Sequence, residues 1–116
     1  MILIATNDLF FKAKIAEVAK QKNVEVKFVD TLDKIIGIVI ENNCRLVIVD
    51  LNFENFNPVN SIENLKRLEP QIYVIGYLSH VQTTLRDNAT HAGCDEVMSR
   101  SQFSKNLGEI LTRNKL

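Results

Sequence analysis

The chain has 116 residues, with 14 Lys and Arg against 14 Asp and Glu, and a formal net charge of zero. Apolar residues make up 46% and charged residues 24%, the mix of one ordinary globular domain with a real core. The charge balance excludes a surface devoted to nucleic acid or anionic membrane, which needs a surplus of Lys and Arg, though not a small local patch.

The longest apolar run, Ile35–Ile40, falls far short of the roughly 20 residues a membrane span needs. The opening residues MILIATNDLF lack the positive start of a signal peptide. Two cysteines make no disulfide framework. The expected compartment is the cytosol. No repeat, linker or biased segment divides the chain, so residues 1–116 read as one unit.

Ile2–Ala5 is a short apolar run, too short for a helix. Thr6, Asn7 and Asp8 follow as turn and capping residues. The first helix runs to about Lys22, with Phe11, Ile15, Val18 and Ala19 on one face. Val24–Val29 alternates, as an edge strand of a parallel sheet does. Asp30 or Thr31 caps a second helix ending at Asn42 and Asn43, with Leu32, Ile35, Ile36, Val39 and Ile40 inside. Leu46–Val49 is apolar throughout and reads as a central strand ending at Asp50.

A polar loop over 52–57 carries Phe53 and Phe56. Pro58 opens a third helix that stops before Pro70, with Ile62, Leu65 and Leu68 as its stripe. Ile72–Leu78 is the fourth strand. Ser79 and His80 lead into a fourth helix with Val81, Leu85 and Ala89 inside, closed by Gly93. Glu96–Ser99 is a fifth strand. Ser101–Arg113 is a fifth helix burying Phe103, Leu107, Ile110 and Leu111.

Strands alternating with helices imply parallel pairing through right-handed crossovers. The expected fold is α/β and flavodoxin-like: a doubly wound five-stranded sheet in the order 2-1-3-4-5 with helices on both faces. Ligands of such sheets bind beyond the carboxyl ends of the strands. Those ends carry Thr6, Asn7 and Asp8, then Asp50, Leu51 and Asn52, then Leu78 and Ser79, then Arg100.

Over essentially its whole length the chain resembles the receiver domains of response regulators in two-component signalling. LVIVDLNF at Leu46–Phe53 is similar to the stretch holding the phospho-accepting Asp, which places Asp50 at the acceptor position. AGCDEVMSR at Ala92–Arg100 and ILIATNDLFFKAKI at Ile2–Ile15 resemble the approach to the site lysine and the first strand and helix. The departures shape the expectation. The resemblance implies an acidic pair holding magnesium, yet Thr6 and Asn7 stand there. Arg100 replaces the lysine and Ser101 the proline after it. The hydroxyl after the fourth strand falls at Leu78, with Ser79 one residue on, and the aromatic position of the fifth strand holds Val97.

Magnesium wants six oxygens, anionic ones among them, so losing two carboxylates weakens its site. A weak set of Asn7, Asp50 and Asn52 remains as the alternative to no metal. The expected pocket is Thr6, Asn7, Asn52, Ser79 and Arg100 around Asp50, with Asp50 paired to Arg100 or capping its loop, and Asp8 pointing elsewhere as a helix cap. His80 and His91 are read as surface or capping residues, and Cys44 and Cys94 as packed thiols. Phe53 and Phe56 are expected over the core. Lys12, Lys14, Lys20 and Lys22 are read as solvated. No glycine-rich phosphate loop, nucleophile elbow, CxxC or HExxH is present.

The resulting expectation is a degenerate pseudo-receiver, not an enzyme and bound to no cofactor. It acts on other signalling proteins, a histidine kinase or effector among them, through the face of its fourth helix, fifth strand and fifth helix, or as a homodimer. With only 113–116 beyond the last helix, no attached output domain is expected. The rival is a working receiver phosphorylated on Asp50 by a histidine kinase with weakly bound magnesium. A third reading, a flavodoxin-like binder of a small ligand, requires an open pocket above the first and third strands.

Overall fold

A computed structural model describes residues 1–42, 44–79 and 82–113. Five parallel strands form one sheet: β1 (Ile2–Ala5), β2 (Val26–Val29), β3 (Leu46–Asp50), β4 (Tyr73–Leu78) and β5 (Glu96–Ser99), in the order β2-β1-β3-β4-β5. The helices are α1 (Leu9–Gln21), α2 (Leu32–Asn42), α3 (Pro58–Leu68), α4 (Thr83–Ala92), α5 (Arg100–Lys105) and α6 (Leu107–Arg113), with a short 3-10 turn at Glu54–Phe56. The flavodoxin-like architecture and strand order read from the sequence are those found. None of these helices is long and apolar enough to cross a membrane.

The sheet sorts its side chains by parity, because successive residues of a strand face opposite sides. Leu3, Ala5, Val47, Val49, Val74 and Leu78 point to one face, where Ile35 and Val39 of α2, Ile62 and Leu65 of α3 and Ala89 of α4 cover them. Ile2, Ile4, Leu46, Ile48, Ile75 and Tyr77 point to the other. There Phe11, Ile15 and Ala19 of α1 pack with Phe103 of α5 and Leu107, Ile110 and Leu111 of α6. β1 and β3 are buried at every residue, as continuous apolar strands inside a doubly covered sheet must be. β2 alternates and lies at an edge.

The first three helices start for local reasons. Asp8 caps α1 by accepting the Phe11 N–H at 3.1 Å. The Thr31 hydroxyl accepts the Lys34 N–H at 3.2 Å at the start of α2. Pro58 occupies the first turn of α3. Gly93 ends α4 at φ 114°, a backbone that a side chain makes costly. Gly76 serves another need: a Cβ there would lie 3.0 Å from Leu51 Cδ1 and 3.1 Å from Cys94 Sγ, so the α3–α4 face closes on bare backbone.

Several boundaries and faces differ from the expected ones. β2 starts at Val26, β4 at Tyr73 and α4 at Thr83. The last helix is two helices, because Asn106 leaves helical geometry (φ −103°, ψ 14°) and two weak helix formers, Asn106 and Gly108, stand together. Ile40 is 71% exposed: it lies one residue, about 100° of turn, beyond buried Val39. Leu68, the last residue of α3, is 58% exposed, while Val18, Leu32, Ile36 and Leu85 are half-buried. Lys14 is not simply solvated, since its ammonium donates to the Ser104 hydroxyl of α5. Asn43, His80, Val81 and the tail 114–116 lie outside the described residues, as do the expectations placed on them.

Candidate functional site

β1 and β3 are neighbours in register, Ala5 beside Val49, so Thr6 and Asp50 leave the sheet side by side. Both are buried, Thr6 at 1% and Asp50 at 8% exposure. The Thr6 hydroxyl donates to Asp50 Oδ2 at 3.0 Å. The Asn52 backbone N–H donates to Asp50 Oδ1 at 2.9 Å, folding the loop after β3 back onto its own carboxylate. Both carboxylate oxygens therefore accept a hydrogen bond from a neutral donor.

Thr6 itself is fully engaged. Its oxygen accepts the Tyr77 hydroxyl at 3.1 Å and the Asp8 backbone N–H at 3.2 Å. A threonine hydroxyl has one proton and two lone pairs, so with both lone pairs taken its proton is committed to Asp50. Tyr77 comes from β4 on the α1–α5 face, where its ring stacks on Phe103 at 4.5 Å and meets Phe11 edge-on at 5.4 Å. Burial pushes its phenol well above the ordinary value, although the Thr6 bond pulls the other way.

Of the two roles expected for Asp50, the structure has the loop cap, through the Asn52 N–H, and not the pair with Arg100. Its guanidinium forms an ion pair with Asp8 and lies 4.4 Å over the Phe11 ring. Asp8 is nearer in sequence to the capped helix start, and the aromatic face of Phe11 favours the cation on that side. Asp8 is thus both the predicted α1 cap and an unpredicted site residue. Burial raises its carboxyl, but the Phe11 N–H and the Arg100 charge outweigh burial and hold it below the ordinary 3.8.

Asn52 and Ser79 form the rim. The Asn52 side chain accepts the Ser79 backbone N–H at 2.8 Å and donates to Gln82 Oε1 at 2.9 Å. Asn7 is exposed on the loop after β1. Asp50, Thr6, Asn52 and Ser79 are brought together, and Arg100 stands with Asp8 beside them. The Thr6–Asp50 bond ties the ends of β1 and β3 to each other.

The donor set does not fit magnesium. The ion demands near-octahedral hard oxygens, anionic ones among them. Here Asp50 supplies one carboxylate, each of whose oxygens accepts one hydrogen bond and keeps a second lone pair, while Asp8, the other carboxylate nearby, is held by the Phe11 N–H and Arg100. The remaining members of the expected weak set, Asn7 and Asn52, are neutral amides. Among the described residues no group of three His, Cys, Asp or Glu stands close enough to hold a metal.

Other expected residues fall where the sequence put them. Phe53 and Phe56 are buried and stack at 5.8 Å over the α2–α4 side. Cys44 and Cys94 are buried free thiols, and burial pushes the Cys94 thiol up to about 11. His91 is exposed and bonds the Asp87 carbonyl at 2.8 Å. Val97 is half-buried, its carbonyl held by Arg86 at 3.0 Å. Tyr77 was missed. Its signal was a phenol two residues after Ile75, hence on a buried face, where the hydroxyl needs a partner.

The five-stranded parallel sheet and its strand order match the receiver-domain fold of response regulators. The receiver domain of NtrX from Brucella abortus matches 97% of the chain and 96% of its own length at TM-score 0.80 and 15% identity. A CheY-like receiver domain protein from Methanospirillum hungatei matches 97% of the chain and 90% of its own at TM-score 0.80 and 16% identity. A Burkholderia pseudomallei protein described as pilus assembly-related matches 97% and 86% at TM-score 0.71 and 20% identity. At such identities the likeness is one of fold. No family model matches the chain, and no curated protein matches its sequence.

Proposed function

We propose that the chain is a degenerate receiver: a cytosolic, non-enzymatic signalling module whose output is contact with other signalling proteins. The observation that carries this reading is the bonding of Asp50. Aspartyl phosphorylation is almost entirely positioning and charge neutralisation, normally with a metal holding the incoming phosphoryl oxygens. Around Asp50 the carboxylates that would hold such a metal are replaced by Thr6 and Asn7. Thr6 caps one carboxylate oxygen, the Asn52 N–H caps the other, and Arg100 is held by Asp8. Arg100 is spent on Asp8, and Asp50 keeps its charge among neutral donors, so neither a second carboxylate for a metal nor an uncommitted cation faces a phosphoryl group there.

The surfaces available for contact are those of α4, β5 and α5, where β5 is half-buried at every residue, together with a second copy of the chain as a homodimer. A kinase or effector is the expected class of partner. The fold alone does not choose a function, since it hosts proteins of different roles.

The rival is phosphorylation of Asp50. Incubation with a small phosphodonor and magnesium, followed by intact-mass measurement, separates the two. The degenerate reading expects no adduct. An adduct that disappears in Asp50→Asn overturns it.

A further inference from the structure

Tyr77 touches both the candidate site and the opposite core layer. Its hydroxyl bonds Thr6, Thr6 bonds Asp50, and its ring lies parallel to Phe103 of α5, with an interplanar angle of 4°. Phe11 of α1 closes the triangle at 5.4 Å from Tyr77 and 5.9 Å from Phe103. Tyr77 and Phe103 are 1% and 0% exposed. We propose that Tyr77 is a positioning residue that couples the bonding of Asp50 to the packing of α5 and α1 on the sheet.

The physical reason is the saturation of Thr6. Its two lone pairs and single proton are all used, so a change at Asp50 cannot be absorbed locally. When Asp50 Oδ2 stops accepting, the Thr6 proton must turn, and it then competes with the Tyr77 hydroxyl or the Asp8 N–H. The N–H is fixed by the backbone at the start of α1, so the phenol yields. A buried phenol that loses its partner carries an unsatisfied donor unless its ring shifts. The ring is in close-packed contact with Phe103 and Phe11, so a shift reaches both helices. By linkage the effect is reciprocal: whatever repacks α5 changes the hold on Asp50. This coupling goes beyond the proposed function, because it is the same whether a partner or a phosphoryl group acts on Asp50.

The chain has two tyrosines and no tryptophan. In a Tyr73→Phe background the near-ultraviolet circular dichroism of tyrosine therefore reads Tyr77 alone. Adding Asp50→Ala, which removes the acceptor of the Thr6 proton, is expected to change that band; an unchanged band overturns the coupling. Unfolding equilibria then supply a second arm. Asp50→Ala and Phe103→Leu together are expected to depart from the product of their separate effects by about fivefold or more. With Tyr77→Phe the departure is expected to fall to within about twofold. Phe11→Leu takes the place of Phe103→Leu if that variant does not fold. Ile35→Val, in the other core layer, is expected to multiply simply with Asp50→Ala. Simple multiplication with Tyr77 present, or a departure that survives Tyr77→Phe, overturns the proposal. Either result leaves the degenerate-receiver reading standing, since the phosphodonor test does not pass through Tyr77.

Discussion

At the scale of the residue, Asp8 and Thr6 tie together the site end of this domain. Asp8 performs two tasks with two oxygens: Oδ1 caps α1 and Oδ2 holds Arg100. Removing the cap costs about 1 kcal/mol. The ion pair is partly exposed, its side chains 40% and 23% accessible, and adds roughly 0 to 1 kcal/mol. Asp8→Ala is therefore expected to lower stability by about 1 to 2 kcal/mol in urea unfolding, and Arg100→Ala by less. The pH dependence follows from the lowered Asp8 carboxyl. A group whose folded pKa lies below its unfolded value stabilises the fold above the ordinary 3.8 and loses that contribution as pH falls through its folded value. Wild type is expected to lose stability on acidification below about pH 4 more steeply than Asp8→Ala, as read by the unfolding midpoint against pH.

The buried thiol of Cys94 gives the opposite sign. Its folded pKa is raised to about 11 from 9.0, so its contribution is intact below 9.0 and is lost as pH rises toward 11. Burial as the first cause makes the effect a property of the core. Cys94→Ala is expected to flatten the decline of stability above pH 9, again read from midpoints. Residue-scale features were unevenly legible. Asp50, Thr6 and Asn52 follow from the ends of strands, because the register of a parallel sheet places successive strand ends together. The partner of Arg100 does not follow, because a long guanidinium chooses among carboxylates by local geometry. The choice of Asp8 over Asp50 depends on the Phe11 ring beneath it and on the Thr6 and Asn52 donors that already occupy Asp50.

At the scale of the element, periodicity carried the strands and most helices. Ile2–Ala5 and Glu96–Ser99 have the expected bounds, because short apolar runs between capping residues leave few alternatives. Helix faces were legible at their centres and not at their ends. Ile35 and Val39 are buried while Ile40 is not, since an apolar run longer than one face must spill round the helix. The interruption at Asn106 was hidden by the regular spacing of Phe103, Leu107 and Ile110, all three buried across the break. A close element contact offers a sharp test. At Gly76 an added Cβ meets Leu51 and Cys94 side chains at 3.0 and 3.1 Å, inside a packed layer. Gly76→Ala is expected to destabilise by about 1 to 3 kcal/mol through overpacking, measured by chemical denaturation.

At the scale of the whole molecule, the fold was the most legible property, because alternation of strands and helices and the rule of right-handed crossovers leave few topologies. Function was less legible. The whole-chain charge balance is not repeated at the carboxyl ends of the strands, where Arg100 offsets Asp8 and Asp50 keeps its charge among neutral donors. A single carboxylate among a hydroxyl and neutral amides is a poor set for a divalent cation, and this is the central claim about the domain. Its most direct test is a magnesium titration followed by the backbone amide resonances of Asp50 and Asn52. The degenerate-receiver reading predicts no saturable shift at either amide. A saturable shift at both, abolished by Asp50→Asn, would contradict it.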